Sequence, residues 1–148
     1  MTGKECSAFL ERASLGCLGC SYENQPYVVP IHFAYENGYL YAFSTFGQKV
    51  KWMRANPKVC VQTDQAQNQS EWISVIVNGE YEELPEPQYT AERKHASSLL
   101  AKHSHWWLNA LGERQMKVGD KSIEPLFFRI RIHSMSGLHA TDEKGRRG

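Results

Sequence analysis

The chain has 148 residues, of which 41% are hydrophobic and 22% charged; that length and balance fit one domain, residues 1–148, around one core. Its 17 Lys+Arg and 16 Asp+Glu leave a formal net charge of +1, which excludes a strong electrostatic footprint for nucleic acid or an anionic membrane. No apolar run approaches bilayer-spanning length, and the opening Met1-Thr2-Gly3-Lys4-Glu5-Cys6 lacks the apolar core of a secretion signal, so the expected location is the cytoplasm, where Cys6, Cys17, Cys20 and Cys60 stay thiols.

In chain order, Glu5 to Ala13 reads as a short amphipathic helix with Phe9 and Leu10 as its apolar contacts. Ser14 to Ser21 alternates small and apolar residues, as a strand does, and Glu23-Asn24-Gln25-Pro26 is turn chemistry. Tyr27 to Tyr35 is β-branched and aromatic and predicts one strand. Glu36-Asn37-Gly38 predicts a hairpin turn, because Asn-Gly tolerates positive φ, and Tyr39 to Ser44 is the return strand. Pro30 has no ladder donor, so it belongs at an edge, at a bulge or beside a ligand. Gly47 to Ala55 predicts a helix stopped by Asn56-Pro57. Val59 to Thr63 reads as a strand, Asp64 to Ser70 as a polar loop, and Trp72 to Leu84 as a long strand with a bulge or bend at Gly79. Gln88 to Ala110 is the longest helical segment, Gly112 to Glu124 is irregular, and Leu126 to Met135 is a final alternating strand. The polar, basic stretch 141–148 is expected to be a disordered tail. The resulting order is α-β-β-β-α-β-β-α-β with short turns between most strands. That predicts a mainly β architecture: an antiparallel barrel with attached helices.

Few residues carry a chemical signature by themselves. Cys17-Leu18-Gly19-Cys20 has a spacing found in zinc and redox sites. Strand residues three apart face opposite sides, however, and no second ligand pair stands at zinc-finger spacing, so small core residues and no metal are expected. Of the six histidines, His32 stands out by following Pro30 inside an apolar strand; it is either a satisfied core histidine or a ligand contact. GxGxxG and GxxxxGK[ST] are both absent. Ser44-Thr45-Phe46-Gly47-Gln48-Lys49 links a strand to a helix start. Free N–H groups, two hydroxyls, a glycine and a lysine there would suit a terminal phosphate, and equally an ordinary N-cap with a solvated lysine. Trp72, Trp106 and Trp107 are core packing or a stacking partner for a flat cofactor.

The stretch from Gln25 to Pro57, QPYVVPIHFAYENGYLYAFSTFGQKVKWMRANP, resembles the pyridoxamine 5′-phosphate oxidase-like FMN-binding split barrels, nearest the branch of the nitroimidazole-resistance proteins. The likeness continues through Trp72 to Gly79 and through Phe127 to Gly137. It implies an antiparallel split β-barrel that holds FMN between the subunits of a homodimer. It further implies that Val29, Pro30, Ile31 and His32 form the strand edge beside the isoalloxazine ring. Phe43 and Ser44 would flank the ribityl chain, and Thr45, Gln48 and Lys49 would lie at the phosphate. Gln48 stands where the oxidase has arginine, so phosphate binding leans on Lys49, the two hydroxyls and backbone amides. Ser74 stands at a glutamine position that contacts flavin, and Trp106 or Trp107 would reach the partner's flavin. The oxidase's C-terminal substrate motif is not matched by SGLHATDEKGRRG, which argues against pyridoxamine phosphate oxidation.

The implied function is an FMN-dependent oxidoreductase that passes electrons from a nicotinamide donor to a small acceptor, such as a nitroaromatic. His32 is the one acid–base candidate. Two rivals stand beside it. One is a flavin- or haem-binding module without turnover, with His32, His133 or His139 as the axial ligand. The other is an oligonucleotide-binding barrel, against which the near-neutral charge counts.

Overall fold

The computed structural model describes residues 1–103 and 126–141. The elements are α1 (Gly3–Arg12), β1 (Leu15–Tyr22), β2 (Gln25–His32), β3 (Ala34–Glu36), β4 (Tyr39–Ser44), α2 (Gln48–Ala55), β5 (Lys58–Asn68), β6 (Glu71–Glu83), α3 (Thr90–His103) and β7 (Leu126–Thr141). The strands form one sheet in the order β2-β1-β5-β6-β7-β4-β3, and every pairing is antiparallel. β7 bridges the sheet's two parts: Leu126 to Arg131 pair with β4, and Phe128 to Thr141 pair with β6. β2 and β4 meet across the open side. This is the split barrel that the family resemblance implies.

Period-2 alternation decides what is inside. Leu18, Ile31, Val61, Val75, Val77, Phe128 and Ile130 point into the barrel, and Phe9 and Leu10 of α1 and Met53 of α2 join them. Each such side chain contributes about 1.5–3 kcal/mol by burial. α1 starts at a capping box, in which the Glu5 N–H donates to the Thr2 hydroxyl (3.1 Å) and the Thr2 N–H donates to the Glu5 carboxylate (2.9 Å). α3 lays Ala96, Leu99 and Leu100 over Ala34 and Tyr41, forming a second cluster outside the barrel.

Gln25 and Pro26, expected in a turn, open β2 by pairing with Tyr22 and Ser21, and three larger departures follow. The expected single strand from Tyr27 to Tyr35 is two, because the β2 ladder ends where His32 meets Leu15, the first residue of β1. Phe33 is fully buried and its N–H donates to the Ser14 carbonyl (3.0 Å); the chain then crosses to the far end of the sheet, where Ala34 pairs with Tyr41. Residues 64–68, expected in a loop, extend β5 because β6 supplies ladder partners (Asp64 to Ser74, Ala66 to Trp72). β7 runs to Thr141, past Met135, because Trp72 and Glu71 pair with Ala140 and Thr141; the remainder of the expected tail, 142–148, lies outside the described residues. The end of the Gln88–Ala110 helix, the irregular stretch Gly112–Glu124, and Trp106 and Trp107 also lie outside them.

The hairpin at Asn37-Gly38 is present, with φ of 48° and 83°. So is the bulge at Gly79, where the β6–β7 register shifts between Asn78 and Gly79. A Cβ on Gly79 would stand 2.3 Å from the Arg131 carbonyl oxygen, so the close approach of β7 requires glycine.

Candidate functional site

The β4–α2 junction carries the hydroxyl, glycine and lysine cluster. Ser44, the last residue of β4, is buried and its hydroxyl donates to the Thr45 carbonyl (2.8 Å). Gly47 is the N-cap of α2 with extended backbone; no side chain caps the helix, and its first turn holds no acidic residue. The opening N–H groups and the positive end of the helix dipole are therefore unopposed by a carboxylate. Thr45 and Gln48 are exposed, whereas Lys49 is half-buried. Burial lowers the pKa of the Lys49 ammonium, with the neighbouring Cys20 thiol the opposing influence. Burial in turn raises the Cys20 thiol, and Cys60 adds to that shift.

β2 is a terminal strand of the sheet, which is why Pro30 is tolerated opposite Cys17. Ile31 is buried and Val29 packs against the core, so Val28, Pro30 and His32 turn to the outer face. His32 is half-buried; burial lowers its pKa, and a hydrogen bond with the Ser14 backbone opposes that effect. The imidazole is consequently neutral near pH 7.

A groove of about 510 Å³ opens beside β2, with Gly19, Cys20, Val28, Cys60, Asn78 and His133 among its lining residues. A Cβ on Gly19 would stand 2.9 Å from Cys60 Sγ, so its absence shapes the floor. His133 is the extra residue of the β7 bulge, and its Nε2 lies 3.3 Å from the Glu80 carboxylate at the rim. Cys20 is among the lining residues, and α2 packs against β1, the strand that carries it.

β2, which carries Val29–His32, and β4, which ends at Ser44, are in contact. Two expected residues stand apart from them in a single chain. The Phe43 ring points to the face opposite Ser44 and packs on Phe127, with centroids 5.8 Å apart; only its backbone is shared with the junction. Ser74 lies on the outer face of β6, where it accepts from Gln62 Nε2 (3.2 Å). Two strands separate it from β2, a distance of about 14 Å. Trp107 lies outside the described residues. Cys17 is exposed and Cys20 buried, as strand alternation requires, and the described residues hold no group of three or more metal-ligating side chains. His95, His133 and His139 each face a carboxylate, of Glu36, Glu80 and Glu71 respectively. Lys58, Cys60, Asn78 and His133 were not anticipated in the groove; the available signal was glycine at position 19 inside a strand.

The outer face of β2-β1-β5-β6-β7 exposes several large apolar side chains: Leu15 is 54% exposed, Val28 66%, Trp72 42%, Ile76 42% and Leu138 58%. Among the described residues no helix is long and apolar enough to cross a membrane.

Comparison with known proteins agrees with this architecture. An uncharacterised protein of Rhizobium meliloti (strain 1021) is 39% identical over 142 residues, spanning 95% of this chain and 93% of its own. The crystal structure of a FAD-binding protein from Mesorhizobium loti superposes with a TM-score of 0.77 at 41% identity, covering 96% of both chains. A Bacteroides thetaiotaomicron protein named for 5-nitroimidazole antibiotic resistance shares the fold, with a TM-score of 0.69 at 23% identity over 95% of this chain and 88% of its own. The profile of the pyridoxamine 5′-phosphate oxidase family matches residues 2–139, and on that match the chain belongs to this family.

Proposed function

We propose that the chain is a flavoprotein that binds FMN where the β2 edge, the groove and the α2 start meet, and that it works as an oxidoreductase. The observation that carries this reading is the packing of α2 on β1. β1 lines a mostly apolar concavity of about 510 Å³, and α2 opens with a half-buried lysine at an uncapped start. That volume falls among small-molecule sites. The donor set fits the group: Lys49, the Ser44 and Thr45 hydroxyls and the α2 amides suit a phosphate, and backbone along Val29 to His32 suits the polar edge of a ring. Neutral His32 can hold a proton or give a hydrogen bond there. The flavin supplies the redox chemistry when bound; a nicotinamide donor and a small acceptor such as a nitroaromatic complete the proposed reaction. The Mesorhizobium loti relative supports a flavin in general, and its FAD makes the dinucleotide the second reading.

The same reading makes the protein a homodimer. A monomer rarely leaves so many large apolar side chains on one sheet face, and a second copy would cover Leu15, Ile76 and Leu138 while bringing its own Ser74 towards the ring. Mass spectrometry of whatever small molecule co-purifies, with the absorption spectrum of the same sample, tests the assignment. Two flavin bands and the mass of FMN or FAD support it. A single intense Soret band would transfer the site to haem, with His32, His133 or His139 as ligand.

A further inference from the structure

We infer that the far end of the groove binds the carboxylate of a small, flat organic acid, with Lys58 as the residue that selects it; that this acid is the acceptor rests on the flavin reading above, whereas its binding does not. The groove spans five adjacent strands, from Val28 on β2, past Gly19 and Cys60, to Glu80 on β6 and His133 on β7. Four strand spacings make it about 19 Å long, more than a flavin ring system occupies. Its two ends differ in chemistry. The β2–β1 end, beside the proposed ring, offers Pro26, Tyr27, Val28 and Cys20, whereas the β5–β6–β7 end offers Lys58, Asn78, Glu80 and His133.

Lys58 stands directly opposite Glu80 in the β5–β6 ladder, yet both Glu80 oxygens are engaged elsewhere. Oε2 accepts from Arg131 Nη2 (3.1 Å), and Oε1 lies 3.3 Å from His133 Nε2. Arg131 and Arg129 share Glu82. Among the described residues no ion pair reaches Lys58. An unmatched ammonium beside an apolar floor is a site for one negative charge, and a single charge selects a carboxylate over a phosphate dianion. Asn78, two ladder positions along and opposite Cys60, adds amide donors on the same face. The floor favours a flat body. Gly19 pairs with Cys60, and without a Cβ, which would stand 2.9 Å from Cys60 Sγ, an aromatic or conjugated acid can lie close to the sheet.

Calorimetry of the full-length protein as purified, with benzoate, benzamide and phenyl phosphate as probes, tests this in the wild type, in Lys58→Met and in Lys58→Arg. The wild type should bind benzoate about tenfold more tightly than its neutral isostere benzamide, because a charge-assisted bond is about twice as strong as a neutral one. Lys58→Met should erase that preference while leaving benzamide affinity and the melting midpoint unchanged, and Lys58→Arg should keep it. Benzoate bound no more tightly than benzamide, phenyl phosphate bound more tightly than benzoate, or a Lys58→Met variant that keeps the preference overturns the carboxylate site. The absorption spectrum of the same sample separates the two readings. Flavin bands without a benzoate preference overturn this site alone. A benzoate preference in a protein that neither carries nor takes up flavin overturns the flavin reading, and with it the acceptor role, but not the site.

Discussion

Replacing Lys49 by methionine separates two effects that the structure assigns to one ammonium. Methionine keeps most of the stem's volume and removes the charge. In the absence of ligand that charge is a cost: the group is half-buried, burial is the largest influence on its pKa, and no carboxylate opposes it. Its folded pKa lies below the ordinary 10.5. Between the two values the unfolded chain binds more protons, so stability rises with pH through that window, and at neutral pH the penalty is fully present. Lys49→Met should therefore raise the melting midpoint of the ligand-free protein at pH 7, and the gain should shrink towards pH 10.5. With ligand the sign reverses. A charge-assisted bond to phosphate is worth about 1.5–3 kcal/mol, so FMN affinity should fall by about 10- to 150-fold, while riboflavin, which has no phosphate, should be unaffected. Calorimetry with both ligands and a thermal melt of each protein decide the matter. Equal losses for FMN and riboflavin remove Lys49 from the phosphate, and a lower melting midpoint refutes the desolvation reasoning.

Other perturbations probe the rest of the account. Gly79→Ala should destabilise the fold by about 1–3 kcal/mol or more, because its Cβ would meet the Arg131 carbonyl at 2.3 Å; a chemical denaturation midpoint equal to wild type contradicts the bulge argument. Ile76→Arg places a charge on the exposed apolar face without touching the barrel core, and light scattering should show a monomer where the wild type is a dimer. A variant that stays dimeric shifts the interface elsewhere. For His32, burial puts the folded pKa below 6.5, so the unfolded state takes up the proton first as pH falls. Stability should drop from about pH 6.5 down through the folded pKa, and His32→Gln should flatten that limb in urea titrations. An unchanged slope would show that another group titrates there.

Much of the architecture is legible because alternation is a local property. β6 and the start of β7 announce which face is buried, and Asn37-Gly38 and Gly79 mark a turn and a bulge by their own conformational needs. The break at Phe33 is not local. Tyr27 to Tyr35 has uniform strand propensity, and only the change of partner from β1 to β4 divides it. The polar half of β5 has poor propensity, and the β6 ladder overrides it. The same distinction runs through the site. Ser44 to Lys49 is contiguous, so its hydroxyls, glycine and lysine could be read together. The groove is assembled from β1, β2, β5, β6 and β7, whose register is set by tertiary packing, and His133 enters it only because the bulge re-aims β7. Phe43 illustrates an inference that the period-2 rule itself restrains, since neighbours in a strand face opposite ways and Ser44 already takes the inner side.

Titration of the purified, full-length chain with FMN, followed by quenching of flavin emission, bears most directly on the proposed pocket. A concavity that meets a half-buried lysine should bind one FMN per chain and quench it at saturation. Emission that keeps the intensity of free FMN at every protein concentration would mean that the β2 edge, the groove and the α2 start do not together form a flavin site.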